Sequence, residues 1–583
     1  MKLMEYINQS KALIKTSSMK KCRIAFLSNF TINGLAEVMK VLCNKGGVSI
    51  ETYVSNYNQY AQEILNKNSK LYEFNSDITF LIIDSEHLLG DFIHFPYRFD
   101  TEEREKYIKQ KFSDFENLLM ILKEHTSAKI VVNELLLPIY SDRGILENKE
   151  SFGLKESIKK FNEMLYLISK KDSQLFIFNF NDLVLKKGYE FMCDNKMKYL
   201  ADMKISPKGI VELGKEYMAY IFPLTSNSKK CLVLDLDDTL WGGVIGEEGI
   251  EGISLGPEKQ GQAFLDFQKK ILGLSERGII LAINSKNNYD DAMEVITKHK
   301  HMVLRKEHFA CIKANWNDKA SNIKEISNEL NIGLDSMVFI DNDWGNCQFV
   351  QEVFPEVMVI PLPKDPSEYI KIIEDLKVFN IFGLTQEDLK RRGMYTNQRE
   401  RNELKSQVQD LDSFLKQLQI KVIIKRVSKL EKARAAQMTQ KTNQFNLTTK
   451  RYLEEDIEKF AKSQNSLIKF IQVEDKFGNH GITGLFIVNK YQDVWEIDSF
   501  LLSCRILGKN IEFAFMQNLI DEAKKQGIKK LKGIFIPSKK NIPAKNFLKE
   551  CGFKFEKEEE GKEHYLLDVG KEKKREIFVE VEE

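Results

Sequence analysis

The 583-residue sequence is poor in paired cysteines, net charge and long apolar runs. Its eight cysteines are scattered, and no two form a Cys-x-x-Cys pair, so neither a zinc ribbon nor a dense disulfide framework has a basis. Several, such as Cys231 in Cys-Leu-Val-Leu, lie in apolar stretches and read as reduced, buried thiols. Lys and Arg number 87 against 85 Asp and Glu, a formal charge of +2. That balance gives the chain as a whole no attraction for nucleic acid or an anionic membrane. No apolar run approaches the roughly 18 residues needed to cross a bilayer. Met1 to Lys21 also lacks the apolar stretch of a secretory signal. The expectation is a cytoplasmic protein with no nucleic-acid and no membrane partner.

What is present is material for several cores: 43% hydrophobic and 10% aromatic residues. At about 150 residues per domain the length predicts roughly four domains, and the pattern separates three regions and a connector. Region 1–225 alternates β-rich runs (Cys22–Leu27, Ile78–Ile83, Ile130–Val132, Leu175–Phe178) with helical stretches at Glu102–Glu124 and Ser157–Lys171. Region 226–384 alternates again, with strands expected at Cys231–Leu234, Gly278–Ile283, Ser336–Ile340 and Val357–Ile360. Such alternation predicts α/β units with parallel strands. Residues 385–419 are highly charged and read as a helical connector. Region 420–583 places strands (Lys421–Val427, Leu467–Val473, Ile482–Val488, Val494–Leu502) before a strong helix, Ile511–Gln526, which predicts a mixed α/β module ending in a charged tail.

The most informative run is Leu232-Val-Leu-Asp235-Leu-Asp237-Asp-Thr239. It sets two carboxylates just beyond the carboxyl end of an apolar strand, where open α/β sheets bind ligands. Alternation along an extended segment lets Asp235 and Asp237 face the same side. One carboxylate can then attack phosphorus while the other protonates the leaving oxygen. Two close carboxylates repel unless a cation sits between them, which implies a hard divalent ion such as Mg²⁺. A polar strand end followed by a turn is the alternative for an isolated Asp-x-Asp. Three further features favour the site: Asn284-Ser285-Lys286 after a second strand, Lys319 before a helix, and Asp341-Asn-Asp343 after a third strand.

In that order, over Lys229 to about Phe379, these residues resemble the haloacid-dehalogenase (HAD) phosphotransferase superfamily. The resemblance implies that Asp235 is the nucleophile and Asp237 the general acid/base. Thr239, Ser285, Lys286 and Lys319 would bind phosphate, and Asp235, Asp237 and Asp341 would hold Mg²⁺. The stretch between Asp235 and Asn284 has no room for a large cap, so the site should be open and suited to a macromolecular substrate, or rely on another domain or protein as its lid. HAD proteins of the resembled family usually read Asp-Asp-Asn-Pro where this chain has Asp341-Asn342-Asp343-Trp344, a change that weakens the local negative charge.

Trp241-Gly-Gly-Val-Ile-Gly-Glu-Glu-Gly249, Ser285-Lys-Asn-Asn288, Asn315-Trp316 and Thr442-Asn-Gln-Phe-Asn-Leu-Thr-Thr449 extend the likeness to the FkbH-like family over almost the whole chain. In the N-terminal region, Leu27-Ser-Asn-Phe-Thr31 and Tyr57-Asn-Gln-Tyr-Ala-Gln-Glu-Ile-Leu65 carry it. There the family resembles an SGNH-hydrolase fold, but Asp194–Asp202 contains no histidine, so no hydrolase activity is expected. Ser28 and Asn133 read as structural or binding residues. The last region resembles a GNAT acyltransferase. The loop Ser503-Cys504-Arg505-Ile506-Leu507-Gly508-Lys509-Asn510 precedes a helix N-terminus, a favourable anion cradle. Arg505, Gly508, Lys509 and Asn510 would grip the phosphate end of phosphopantetheine or CoA, although the family favours Gly where Asn510 stands. Cys504 is either an acyl-accepting nucleophile or a small buried strand-end residue. His480 is a candidate base or a solvated loop residue. Asn443, Gln444 and Asn446 either line the acyl site or cap a helix that starts there.

The resemblance implies transfer of a glyceryl unit from 1,3-bisphosphoglycerate to the phosphopantetheine thiol of an acyl carrier protein, with loss of phosphate, in polyketide or related biosynthesis. Two alternatives remain open at this point: the same chemistry on another acyl phosphate, and a non-catalytic scaffold that docks a carrier protein.

Overall fold

The computed structural model describes residues 1–13, 20–225, 227–384, 417–476, 478–503, 506–538, 540–570 and 580–582. Most of the expected connector, 385–416, lies outside the described residues, as do Cys504 and Arg505. The chain divides into two compact units, Met1–Thr225 and Ser226–Glu583. No described helix is long and apolar enough to cross a membrane.

In the first unit, β1 (Lys20–Ser28), β2 (Val48–Val54), β3 (Ile78–Ile82), β4 (Lys129–Asn133) and β5 (Leu175–Phe178) form a parallel sheet in the order β2-β1-β3-β4-β5. Every residue of β3 and β4 is buried, because helices cover both faces. On one face Phe80 stacks between Phe26 and Tyr217, with ring centroids 5.5 and 4.1 Å away. On the other, Leu27, Leu81 and Val132 pack with Phe112, Phe115 and Phe161 from the helices Thr101–His125 and Leu154–Ser169. Asp100 and Glu103 form a reciprocal capping box at the start of the longer helix.

The second unit opens with another parallel sheet: β6 (Cys231–Leu234), β7 (Ile280–Ser285), β8 (Phe309–Ala314), β9 (Met337–Asp341) and β10 (Met358–Pro361), ordered β10-β9-β6-β7-β8. Its central strands are apolar and buried throughout. Between β6 and β7 a short bridge, Gly242 to Ser254, closes a small flap that holds the helix Ile245–Gly252. That flap is the whole of the cap, and the HAD-like sheet is minimally capped as its sequence predicts.

The remaining strands are β11 (Lys421–Arg426), β12 (Phe445–Asn446), β13 (Ser466–Asp475), β14 (Gly478–Lys490), β15 (Val494–Leu502), β16 (Lys530–Phe535), β17 (Lys554–Glu559), β18 (Lys562–Asp568) and β19 (Glu580–Glu582). They form one mixed sheet, β17-β18-β16-β15-β14-β13-β11-β19. The helix Ile511–Lys525 joins β15 to β16 as a parallel crossover, and the run from β11 through β13 and β14 to β15 is antiparallel. This is the mixed α/β arrangement expected of the region. Two details depart from the sequence reading. Helices Lys432–Lys441 and Glu454–Lys462 stand between β11 and β13, so strands do not simply precede helices. Residues 442–446 do not begin a helix: Thr442 ends one, and Phe445–Asn446 forms β12.

The reason for β12 is a parting of the sheet. β15 and β16 pair only from Val494–Ile497 to Lys530–Gly533. Beyond that point β12 takes the free edge of β15, pairing Phe445 with Leu502 and Asn446 with Leu501. The amide of Ile536 reaches across to the Leu447 carbonyl at 2.8 Å, and buried Asn541 donates to the Asn446 carbonyl at 2.9 Å. The gap is thus filled by the chain itself, which satisfies backbone groups that the parting would otherwise orphan.

Candidate active site

Asp235, Ser285 and Asp341 stand at the carboxyl ends of the adjacent strands β6, β7 and β9, in the crevice where open α/β sheets bind ligands. The Asp235 amide donates to the Ile340 carbonyl at 3.1 Å and extends the ladder by one step, which fixes the backbone under the carboxylate. Lys319 comes from the first turn of the helix Lys319–Leu330, whose start is capped by the Asp318 side chain on the Ser321 amide at 2.8 Å.

Lys319 is 1% exposed and lies between two carboxylates, 2.7 Å from Asp235 Oδ1 and 3.0 Å from Asp341 Oδ2. Its ammonium also donates to the Asn284 carbonyl at 2.7 Å, while the Asn284 amide returns a bond to the Lys319 carbonyl at 2.9 Å. Burial alone would lower the lysine's pKa, but the carboxylates of Asp235 and Asp341 outweigh it and hold it raised. Asp341 is pushed up to about 6, by burial first and by the neighbouring Asp235 second.

Asp237 is held apart from that trio. Trp241 Nε1 donates to its Oδ1 at 2.9 Å, the Ile245 amide to the same oxygen at 3.2 Å, and Asn287 Nδ2 to Oδ2 at 2.9 Å. Burial nevertheless raises its pKa, the direction a general acid needs. A left-handed Asp238 (φ 48°) turns the chain after Asp237, and its carboxylate accepts from the Gly243 amide at 2.7 Å. Ser285, 1% exposed, accepts from Asn287 at 3.1 Å. Thr239 is fully buried, and its hydroxyl has no hydrogen-bond partner among the described residues. Lys286 is exposed and donates to Asn346 at 3.2 Å.

The third strand end resolves the altered motif. The Asp343 side chain caps the helix Trp344–Val353 by accepting from the Asn346 amide at 2.6 Å, while its own amide donates to Asp341 Oδ1 at 2.8 Å. Asp343 therefore works as a cap and Asp341 keeps the inward position. The donors around Lys319 are carboxylate oxygens without sulfur or imidazole, a set that fits a hard cation. Among the described residues no three His, Cys, Asp or Glu side chains gather closely enough to hold a metal. Asp235 and Asp341 are the pair turned toward each other, and the Asp237 carboxylate is occupied by Trp241, Ile245 and Asn287. The mouth is open: Trp316, from the loop after β8, and Trp344, at the start of the helix Trp344–Val353, are 71% and 68% exposed.

In the third sheet, His480 is 2% exposed, which sets aside the solvated-loop reading; its Nε2 lies 2.9 Å from Asp475 Oδ2. Lys509 is buried 4.0 Å from the same carboxylate, so His480, Asp475 and the loop Gly508–Asn510 form one cluster. Gly508 and Asn510 both take positive φ, 73° and 61°, the conformation that explains a glycine preference at position 510. Asn446 is fully buried, with Oδ1 accepting from the Thr449 amide at 2.9 Å, and shapes the loop. Asn443 and Gln444 instead line a cavity together with Ser503.

In the first unit, Asn133 Oδ1 accepts from the Ile83 amide at 2.5 Å and its Nδ2 donates to the Ile83 and Glu134 carbonyls at 3.0 and 2.9 Å. Ser28 accepts from the Phe30 amide at 3.2 Å. Both tie loops to strand ends. Asp202 does meet a histidine, but from far away in sequence: His87 Nε2 lies 3.3 Å from it, and His87 Nδ1 is 3.3 Å from Asp84.

Asn284, Asn287 and Trp241 are the site residues to which the sequence reading gave no role. The first two adjoin Ser285, and Trp241 follows Thr239 by two residues, so their place in the motif was the available signal. Their partners lie up to 50 positions away.

Residues 23–218 match the family described as the FkbH N-terminal domain. A crystal structure of the N-terminal part of the protein BF1531 from Bacteroides fragilis, containing a phosphatase domain and complexed with Mg, is 29% identical, with a TM-score of 0.60 over 66% of this chain and 100% of that one. A domain from Methanocaldococcus jannaschii is similar at 18% identity, over 26% of this chain and 99% of that one, with a TM-score of 0.22. The Escherichia coli ribosomal-protein-S18-alanine N-acetyltransferase is similar at 16% identity, over 25% of this chain and 94% of that one, with a TM-score of 0.21. No curated protein matches the sequence. Residues 23–218 are thus similar to the FkbH N-terminal domain, and the chain shares its fold with a phosphatase-containing fragment over 66% of its length.

Proposed function

We propose that the protein loads a glyceryl unit from 1,3-bisphosphoglycerate onto the phosphopantetheine thiol of an acyl carrier protein and removes phosphate in doing so. The observation that carries this reading is the buried Asp235–Lys319–Asp341 cluster with Asp237 held separately by three donors. It is an arrangement for splitting a phosphomonoester, in a chain that also carries an acyltransferase-like sheet.

The donor has an acyl phosphate at one end and a phosphomonoester at the other. A thiol attacks the acyl carbon and phosphate leaves, which conserves the activation as a thioester. Cys504 or the carrier's own pantetheine supplies that thiol. At the other end, Asp235 attacks phosphorus to form an aspartyl-phosphate, and Asp237 gives its proton to the departing glyceryl oxygen. Asp237, now a carboxylate, takes a proton from the water that hydrolyses the aspartyl-phosphate. Lys319 offsets phosphate charge, and Ser285 offers a hydroxyl to a phosphate oxygen. Mg²⁺, for which the Mg-complexed BF1531 fragment is a precedent, would be held by Asp235 and Asp341 and would neutralise phosphate charge.

Intact-protein mass measurement on the carrier is the test. Full-length protein should add a glyceryl mass to the carrier, and Asp235→Asn should leave a phosphorylated adduct or none. Equal loading of dephosphorylated glyceryl by Asp235→Asn would refute the phosphatase role.

A further inference from the structure

One side-chain amide joins two parts of the phosphatase site. Asn287 lies in the loop between β7 and the helix Tyr289–Lys298 and is 4% exposed. Side chains alternate along Ser285-Lys286-Asn287, so Lys286 turns out to solvent while Ser285 and Asn287 both turn inward. The Asn287 Nδ2 group carries two protons and gives one to each of two partners, Asp237 Oδ2 at 2.9 Å and Ser285 Oγ at 3.1 Å. The neighbours dictate which way the amide points, because its oxygen would repel the Asp237 carboxylate.

Each of these bonds leaves its partner one useful direction. A carboxylate oxygen has room for about two hydrogen bonds. Asp237 Oδ1 already accepts two, from Trp241 Nε1 and the Ile245 amide, so Oδ2 is the oxygen with room for the proton to be given. Asn287 fills the other position on Oδ2 and thereby fixes where that proton points. At Ser285 the hydroxyl oxygen accepts from Asn287, which leaves its O–H to donate toward a phosphate oxygen.

We infer that Asn287 is a positioning residue for phosphate transfer, which holds the proton-giving oxygen of Asp237 and the phosphate-holding hydroxyl of Ser285 in one register. It acts through these two side chains and ties the loop after β6 to the loop after β7. The inference rests on the phosphatase half of the proposed function and on neither the acyl donor nor the carrier. The two partners also make different demands on a substrate. An alkyl phosphate needs a proton on its leaving oxygen, whereas p-nitrophenolate departs readily without one. A misaligned Asp237 therefore penalises glycerate 3-phosphate more than p-nitrophenyl phosphate, while a misaligned Ser285 or a loosened fold penalises both alike.

Steady-state kinetics of the full chain with Mg²⁺ on these two esters, for the parent, Asn287→Ala and Asn287→Leu, test this. Both variants should lower kcat/KM about 100-fold for glycerate 3-phosphate and about tenfold for p-nitrophenyl phosphate. In a Ser285→Ala background, the loss on p-nitrophenyl phosphate should shrink to about threefold or less, because the two residues act together. Equal losses on the two esters overturn the inference, and so does a loss that Ser285→Ala leaves undiminished. Circular dichroism melting of Asn287→Leu, which nearly keeps the side-chain volume, separates lost alignment from lost folding. Parental turnover in a variant that melts like the parent also overturns it. A parent that splits neither ester removes the phosphatase reading and this inference with it. A parent that splits both esters but loads no carrier removes only the acyl-transfer half of the proposed function.

Discussion

Lys319 shows how much one side chain can carry. It is a buried cation between two buried carboxylates, so its removal leaves both uncompensated. Lys319→Met should cost about 3–5 kcal/mol, the range for breaking a buried pair from one side, measured by urea unfolding. The pH dependence has a definite sign. A carboxyl raised to about 6 in the folded state, as at Asp341, binds its proton more tightly folded than unfolded. Its penalty therefore appears as pH rises through the unfolded carboxyl value and is complete above the folded one. Without the lysine that penalty grows, so the gap between Lys319→Met and the parent should widen from pH 4 to pH 7. A gap that is constant over this range would show that the lysine does not act through these carboxylates. Asn133 makes the complementary case. Its amide satisfies three backbone groups at the Ile83 and Glu134 turns. Asn133→Ala should lose about 2–4 kcal/mol, since each buried orphan costs about 1–3 kcal/mol, while turnover of p-nitrophenyl phosphate per folded molecule stays unchanged.

At the scale of elements, the helix Trp344–Val353 separates two aspartates that sequence left ambiguous. Asp343 caps this helix and Asp341 faces Lys319. Asp343→Ala should cost about 1 kcal/mol of stability and leave phosphatase turnover within a few-fold. Asp341→Ala should lower turnover on the order of 100-fold or more. Steady-state assays of the two variants decide the matter, and equal losses would mean that the cap and the site are one device. Legibility follows the same physics. Strands such as β3, β6 and β9 are buried on both faces, so their apolar runs stand out in sequence. β2, at the edge of its sheet, reads Val-Ser-Ile-Glu-Thr-Tyr-Val and escapes such a search, because half of it meets water. β17 is exposed throughout, and its Lys-Phe-Glu-Lys-Glu-Glu gives no apolar signal. β12 is two residues long and exists because β15 and β16 part, a tertiary cause with no local signature. The candidate site was legible because its residues sit at strand ends within short motifs. The Asp237–Asn287 and Asp202–His87 contacts were not, since they join segments far apart in sequence.

For the whole molecule, the question is which activities survive separation of the sheets. The proposed phosphatase residues Asp235, Asp237, Ser285, Lys319 and Asp341 all come from the sheet β6–β10 and its connections, and every side-chain hydrogen bond described for them stays within residues 235–346. The third sheet meets that module partly through polar contacts, such as Lys230 to the Lys441 carbonyl at 2.8 Å and the Lys540–Asp335 pair. Contacts of that kind resemble transient interfaces more than a shared core. The hydrophobic cores agree: Cys231, Ile280, Met337 and Phe339 cluster with Ile323, Ile326 and Val350, while the third sheet has clusters of its own. A fragment ending at residue 384 should therefore fold and hydrolyse p-nitrophenyl phosphate in the presence of Mg²⁺ at a rate within a few-fold of the full chain. It should form no glyceryl thioester on the carrier, because the sheet proposed to handle the thiol is gone. Loss of phosphatase turnover in a fragment that still melts cooperatively would place part of the phosphatase machinery in the third sheet. Thioester formation by the fragment would move acyl transfer out of that sheet.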